Sequence, residues 1–318
     1  MKNVSRRNFL KSSIACAAGA AGAIAASNLL AVSQAPHMKF PVTPRERIGV
    51  TTWPFRMYID SSTNPWRDPK LPGIALEDFP AMIATKFGLY NVELLARHFP
   101  STDEAYLQEL RAAVENAGSQ IIDIPISGTA SFYDPFAVKR QEAIDFGRKW
   151  IDIAAAVGSP SVRLHIEGVQ GIAPDADRTA ESLKQVAAYG AQRNIMVTLE
   201  NDDLVTEDAF FIVRVIDNVQ NPYLRALPDF ANSMLSGNSE FNYDALTLMF
   251  RHAYNIAHMK NSEVGGHGSK LYTVDVGRIF KIAEAAGYRG YYSLEWEGRG
   301  GAYEGTSQLL AETLKHLS

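Results

Sequence analysis

Tyr254-Asn255-Ile256-Ala257-His258-Met259-Lys260 is a short apolar run that ends on a histidine and a lysine. It has the composition of a strand buried on both faces. Three other runs stop on a carboxylate. Met196-Val197-Thr198-Leu199 stops at Glu200, Leu224-Arg225-Ala226-Leu227-Pro228 at Asp229, and Tyr291-Tyr292-Ser293-Leu294 at Glu295. These four end residues are spaced 29, 29 and 37 residues apart, each about one strand–helix unit with its loops. If the strands lie parallel and side by side, their C-terminal ends share one face. Two Glu, one Asp and one His then converge, a set that suits a divalent cation with open positions for a substrate.

The same alternation runs outward from this stretch in both directions. Strands are expected at 48–52, 91–95, 120–124, 161–165, 196–200, 224–228, 256–260 and 291–295. Helices are expected at 77–87, 102–117, 138–157, 179–192, 207–219, 242–252, 276–286 and 306–317, with Gly118, Gly158 and Gly287 as stops. Eight such units in about 270 residues predict an α/β fold, a (β/α)8 TIM barrel, as one domain over 48–318. A doubly wound sheet is the competitor. No Gly-rich dinucleotide fingerprint follows any strand, which weighs against its cofactor-binding form.

The N-terminus reads as a targeting segment. Ser5-Arg6-Arg7-Asn8-Phe9-Leu10-Lys11 resembles a twin-arginine export signal, and an Ala/Gly-rich apolar run follows to about residue 30. We therefore expect residues 1–35 to be the signal, 36–47 a linker, and the chain to be delivered to the periplasm by the twin-arginine machinery. The only cysteine, Cys16, lies in this leader, so a disulfide or a cysteine nucleophile is excluded from the mature chain. The net charge is −4, and without the four leader cations it is −8. An acidic chain is a poor phosphate binder, so no nucleic acid partner is expected.

Buried carboxylates side by side repel and raise each other's pKa unless a cation holds them. Glu200, Asp229, His258 and Glu295 are therefore the candidate ligands of one divalent ion. The donor set does not choose among Mn2+, Mg2+, Co2+ and Zn2+. His165 ends the fourth strand and is a candidate substrate contact. Lys260 shares its face of the strand with His258 and joins the candidates, as do Trp53 and Arg299. Trp53, Phe55 and Trp296 are candidate walls of a sugar-sized pocket. Glu93 and Arg97 read as a structural ion pair. His267 and Arg299 lie in Gly-rich loops that can close over a substrate.

Val92-Glu93-Leu94, Leu199-Glu200-Asn201, Asp229, His258-Met259-Lys260 and Leu294-Glu295-Trp296-Glu297-Gly298 together carry a resemblance. In order and spacing the chain resembles the sugar phosphate isomerase/epimerase family, the xylose isomerase-like TIM barrels, over about 48–317. The resemblance implies that Glu200, Asp229, His258 and Glu295 bind one divalent metal, and that Glu200 and Glu295 move the protons. It implies a metal-dependent isomerase or epimerase acting on a small carbohydrate by proton abstraction next to a carbonyl, through a metal-bound enediolate. The alternative is a lyase or dehydratase on a keto-sugar, inosose or 3-keto-glycoside. One departure stands out: the ketose epimerases carry a substrate-contacting His three residues after the sixth-strand Asp, where this chain has Asn232. Asn232 can hydrogen-bond a hydroxyl but does not titrate. A multi-zinc nuclease of the same superfold needs more strand-end histidines than the seven in this whole chain allow. A homo-oligomer is compatible with the sequence.

Overall fold

A computed structural model describes residues 36–128, 130–265 and 268–317. Residues 1–35, expected to be a twin-arginine signal, lie outside the described residues, as does His267. The strands are β1 (Ile48–Thr51), β2 (Asn91–Glu93), β3 (Gln120–Asp123), β4 (Pro125–Ile126), β5 (Ser161–Leu164), β6 (Met196–Glu200), β7 (Leu224–Leu227), β8 (Ile256–Met259), β9 (Ser262–Gly265), β10 (Lys270–Thr273) and β11 (Tyr291–Leu294). The α-helices are α1 (Phe79–Phe87), α2 (Glu104–Asn116), α3 (Ala137–Val157), α4 (Ala176–Arg193), α5 (Ala209–Val219), α6 (Ser239–Phe250), α7 (Val276–Ala285) and α8 (Ala302–Leu317).

The parallel strands run β3-β2-β1-β11-β8 in one arc and β4-β5-β6-β7 in the other. Two seams close the ring. On one side β3 runs straight into β4 through Ile124, whose carbonyl accepts from the Arg163 amide. On the other, the His258 amide donates to the Pro228 carbonyl at 3.0 Å, and Asp229 bridges His258. This is the TIM barrel expected from the alternation. Every residue of β1, β2, β5, β6, β8 and β11 is buried, because helices cover one face and the lumen the other.

Local chemistry sets the helix ends. Asp175 and Asp208 accept hydrogen bonds from first-turn amides of α4 and α5. α3 stops at Gly158, whose φ of 82° is left-handed and suits a residue without Cβ. The Asp208 cap starts α5 at Ala209, two residues later than expected, and so leaves Glu207 outside the helix with its side chain turned inward. On either side of the Gly-rich stretch after β8, β9 and β10 pair as an antiparallel hairpin.

Residues 36–47, expected to link, pack under the barrel. Phe40 sits edge-on against Tyr254 and Tyr291, at centroid distances of 5.4 and 5.8 Å. Tyr254 Oη donates to the Pro36 carbonyl at 2.6 Å. The N-terminal ends of the strands are thus floored, and the C-terminal ends stay open.

Gly190 of α4 packs closely on the residue before β6, where a Cβ would lie 2.5 Å from the Ile195 carbonyl oxygen. Gly190→Ala is expected to cost about 1–3 kcal/mol through overpacking, read as a lower Tm by circular dichroism. A raised Tm, as helix propensity alone would give, would show that the clash is relieved at no cost.

Candidate metal centre and the cavity above it

Glu200 is the last residue of β6, and Glu295 follows β11 directly. Asp229 lies two residues beyond β7, and His258 sits within β8. Ring closure brings these four ends together, with one ligand-type atom from each lying within 4.8 Å of all the others. His258 Nδ1 is 2.9 Å from Glu200 Oε1, 3.5 Å from Glu295 Oε2 and 3.9 Å from Asp229 Oδ2. All four residues are buried.

Three of the four tie one polar atom to the protein and turn the other to the shared centre. Glu200 Oε2 is held by Arg163 Nη2 at 2.8 Å. Asp229 Oδ1 accepts from the amides of Ala231 and Asn232, at 2.9 and 2.7 Å. His258 Nε2 meets Glu93 Oε1 at 2.8 Å. Asp229 Oδ2 is fully buried, with Lys260 Nζ 3.3 Å away but no hydrogen-bond donor. An orphaned buried carboxylate oxygen beside two more carboxylates and an imidazole fits a divalent cation.

The electrostatics point the same way. Burial pushes the Asp229 carboxyl up to about 6 and holds Glu295 well above the usual carboxylate range. Burial acts likewise on Glu200, but His258 and Arg163 outweigh it and leave that carboxyl below its ordinary value. Burial would lower His258, yet Glu200, Glu93 and Glu295 hold it well above its ordinary value. Anionic surplus around one point is what a bound cation relieves.

Above the centre opens a cavity of about 360 Å3, a size for small-molecule sites. Trp53 and Trp66, in edge-to-face contact at 5.0 Å, form one wall, and Trp53 Nε1 donates to Glu297 Oε1. His165 lines the opposite part, its Nδ1 2.5 Å from Glu207 Oε2 and 3.3 Å from Asp202 Oδ2. Burial lowers His165, but its bonds to Asp202 and Glu207 outweigh that and raise it to about 10. Asn232 donates from Nδ2 to Glu200 Oε1 at 3.2 Å, and its Oδ1 accepts from Lys260 Nζ at 2.7 Å. A larger groove of about 860 Å3 lies at the opposite end, beside residues 39–46, away from all of these groups.

The structure sorts the remaining expectations. An ammonium has three donors, and those of Lys260 go to Asn232, Glu263 and Glu297 at 2.7, 2.6 and 2.9 Å. Lys260 is therefore saturated by protein and acts by holding Asn232. Arg299 is not brought to the cavity: it is exposed and donates to the Ser269 carbonyl at 3.2 Å. Phe55 is in the core. Glu93 does not pair with Arg97; it bonds His258 and Ser293 across the lumen. Arg163, Asp202, Glu207, Glu263 and Glu297 belong to the site without having been expected there. Strand period two was the available signal for three of them. Arg163 precedes His165 by two residues, and Asp202 and Glu297 follow Glu200 and Glu295 by two.

Comparison with known proteins adds the following. The sequence profile of the family described as xylose isomerase-like TIM barrel matches residues 83–318. No curated protein matches the sequence. Among solved structures, D-psicose 3-epimerase from Clostridium cellulolyticum H10, with D-tagatose, aligns at a TM-score of 0.62 and 15% identity, over 85% of this chain and 96% of that one. The 3-keto-D-glucoside 4-epimerase from E. coli aligns at 0.62 and 14%, over 85% and 99%. A xylose isomerase-like TIM barrel protein from Mycobacterium smegmatis, in complex with magnesium, aligns at 0.60 and 16%, over 86% and 98%. At these identities the likeness establishes the fold.

Mn2+ at 100 times its Kd is expected to stabilise the protein by about 2.7 kcal/mol, read as a raised Tm, and Asp229→Asn to remove most of that gain. A wild-type Tm indifferent to Mn2+, Mg2+, Co2+ and Zn2+ would show that Arg163, His258, Lys260 and protons balance the cluster without an ion.

Proposed function

Because the chain belongs to the xylose isomerase-like TIM barrel family, we propose that it is a divalent-cation-dependent isomerase or epimerase of a small keto-sugar. The observation that carries this reading is the convergence of Glu200, Asp229, His258 and Glu295 at the floor of a sugar-sized cavity. The solved relatives named for sugar epimerases, and the one that holds magnesium, support it.

A cation held by the four groups would supply Lewis-acid polarisation of a substrate carbonyl. The rest of the chemistry falls to the chain. Glu200 and Glu295 both line the cavity. Glu200, kept ionised by Arg163 and His258, is the group to take a proton from the carbon beside the carbonyl. Glu295, pushed up by burial, is the group to return one. Delivery to the opposite face gives an epimer, and delivery to the neighbouring carbon an isomer. Asn232, held by Lys260, presents an amide to a substrate hydroxyl. His165, backed by Glu207 and Asp202, offers a charged donor to an oxygen at the far end of the sugar. Trp53 and Trp66 supply an apolar wall for a sugar face.

Glu200→Gln and Glu295→Gln are each expected to lower turnover roughly 10²- to 10⁴-fold while leaving the fold intact. The measurement is deuterium uptake from D2O by Mn2+-loaded protein acting on a panel of ketoses and 3-keto-glycosides. An isomeric product, of the substrate's composition but carrying solvent deuterium, supports the reading. A product lighter by a lost substituent would assign the site to a lyase instead.

We also propose, from Arg6-Arg7 and the apolar run behind them, that the protein works in the periplasm. Arg6→Lys with Arg7→Lys is expected to leave it in the cytoplasm on fractionation. Unaltered export of that variant would remove the assignment.

A further inference from the structure

We propose that Glu93 is the positioning residue of the centre, holding His258 so that Nδ1 faces the site of the cation; this rests on the reading of the four groups as cation ligands. Glu93 lies at the end of β2, fully buried, and is not part of the cavity lining. Its effect on any reaction therefore runs through another residue. In the ring, β1 and β11 stand between β2 and β8, so the carboxylate must cross the lumen to reach His258. Register sets Ser293 level with His258 and Glu93 two residues further along, from where its side chain reaches back to both. Ser293 pairs with His258, and Glu93 ends β2 beside Thr51, one residue beyond the level at which Val50 meets Leu294.

Both carboxylate oxygens are engaged. Oε1 meets His258 Nε2 at 2.8 Å, and Oε2 accepts from Ser293 Oγ at 2.5 Å. A carboxylate so held cannot turn. A neutral imidazole has one N–H, and an ionised carboxylate only accepts. In the neutral form that a bound cation would require, the hydrogen therefore sits on Nε2, and the Nδ1 lone pair is left facing the centre shared by Glu200 Oε1, Glu295 Oε2 and Asp229 Oδ2. Without an acceptor below it, the ring can take the other tautomer, present an N–H to three carboxylates, and act as a hydrogen-bond donor where a ligand is needed. Glu93 thus decides between two uses of the same histidine. Hydrogen-bond partners of metal-bound histidines typically shift metal affinity by roughly 10- to 100-fold.

The experiment uses Mn2+ as probe, with calorimetric titration of the chelator-treated full barrel and no substrate. Glu93→Ala is expected to weaken Mn2+ binding roughly 10- to 100-fold. Glu93→Gln, which keeps an accepting oxygen but no charge, is expected to fall between Ala and wild type. Ser161→Ala, which removes a buried hydroxyl bonded to Asp123 and Ile122, serves as the structural control and is expected to leave Mn2+ affinity unchanged. In 15N-histidine spectra of the Mg2+-loaded wild type, Nε2 of His258 should be the protonated nitrogen. Wild-type Mn2+ affinity in both folded Glu93 variants, or protonation at Nδ1, overturns the proposal while leaving the cation reading intact. If Glu93→Ala does not fold, Glu93→Gln decides. A wild type that binds no Mn2+ overturns the cation reading, and this proposal with it.

Discussion

Like charge gathered in a water-poor barrel mouth is the constraint from which the rest of this structure follows. Glu200, Asp229 and Glu295 bring ligand oxygens within 4.8 Å of one another, and Glu93, Asp202, Glu207, Glu263 and Glu297 stand close behind. Two unit charges at 4 Å repel by about 4 kcal/mol even at an effective dielectric of 20. Such a cluster persists only if cations are interleaved with it. Arg163 lies between Glu200 and Asp202, His258 between Glu93 and Glu200, and Lys260 among Glu263, Glu297 and Asp229. Each basic group is committed to carboxylates on at least two sides. Asp229 Oδ2, a buried oxygen without a donor, faces the common centre.

The barrel makes that arrangement affordable in conformational terms because its strands are short, parallel and closed. A residue at the C-terminal end of a barrel strand has one direction open to it, towards the mouth, since helices pack outside and apolar layers fill the lumen below. Phe230, two-sidedly packed against Phe250, Phe280 and Tyr292, anchors the turn after Asp229. Asn201 ties that turn to β6 through the Asp229 amide and carbonyl. Rigid packing one residue away is what holds the mutually repelling carboxylates within reach of a single ion. The lumen beneath is polar in part, with Glu93, Ser293 and His258 linked across it, so the floor of the site is hydrogen-bonded as well as packed.

Much of the fold was legible along the chain. Continuous apolar runs of four or five residues, alternating with longer amphipathic stretches and glycine stops, name parallel strands and crossover helices whatever their order in space. The four convergent groups were legible because each ends such a run, a position that in a closed parallel barrel has one meaning. Glu93 also ends a run, and there the local reading failed. Arg97 is four residues on and of opposite charge, yet a turn of 3-10 helix at Ala96–His98 carries it to the cavity wall while Glu93 points into the lumen. Glu207 was read as the first turn of a helix. The Asp208 cap starts the helix two residues later, at Ala209, and frees Glu207 to bond the Ile166 amide and His165.

The sequence by itself determined which residues alternate, where each strand stops and which side chain stands at the stop, because these depend on neighbours a few positions away. It therefore determined the barrel and the membership of the four-group cluster. Tertiary structure alone decided who partners whom: that Lys260 spends its three donors on Asn232, Glu263 and Glu297, that Arg163 clamps Glu200, that Arg299 stays outside, and that Glu93 lies under His258. Those pairings join residues up to 165 positions apart, as Glu93 and His258 are. They are fixed by strand register and ring closure, and no periodicity along one strand encodes how far the next one slides.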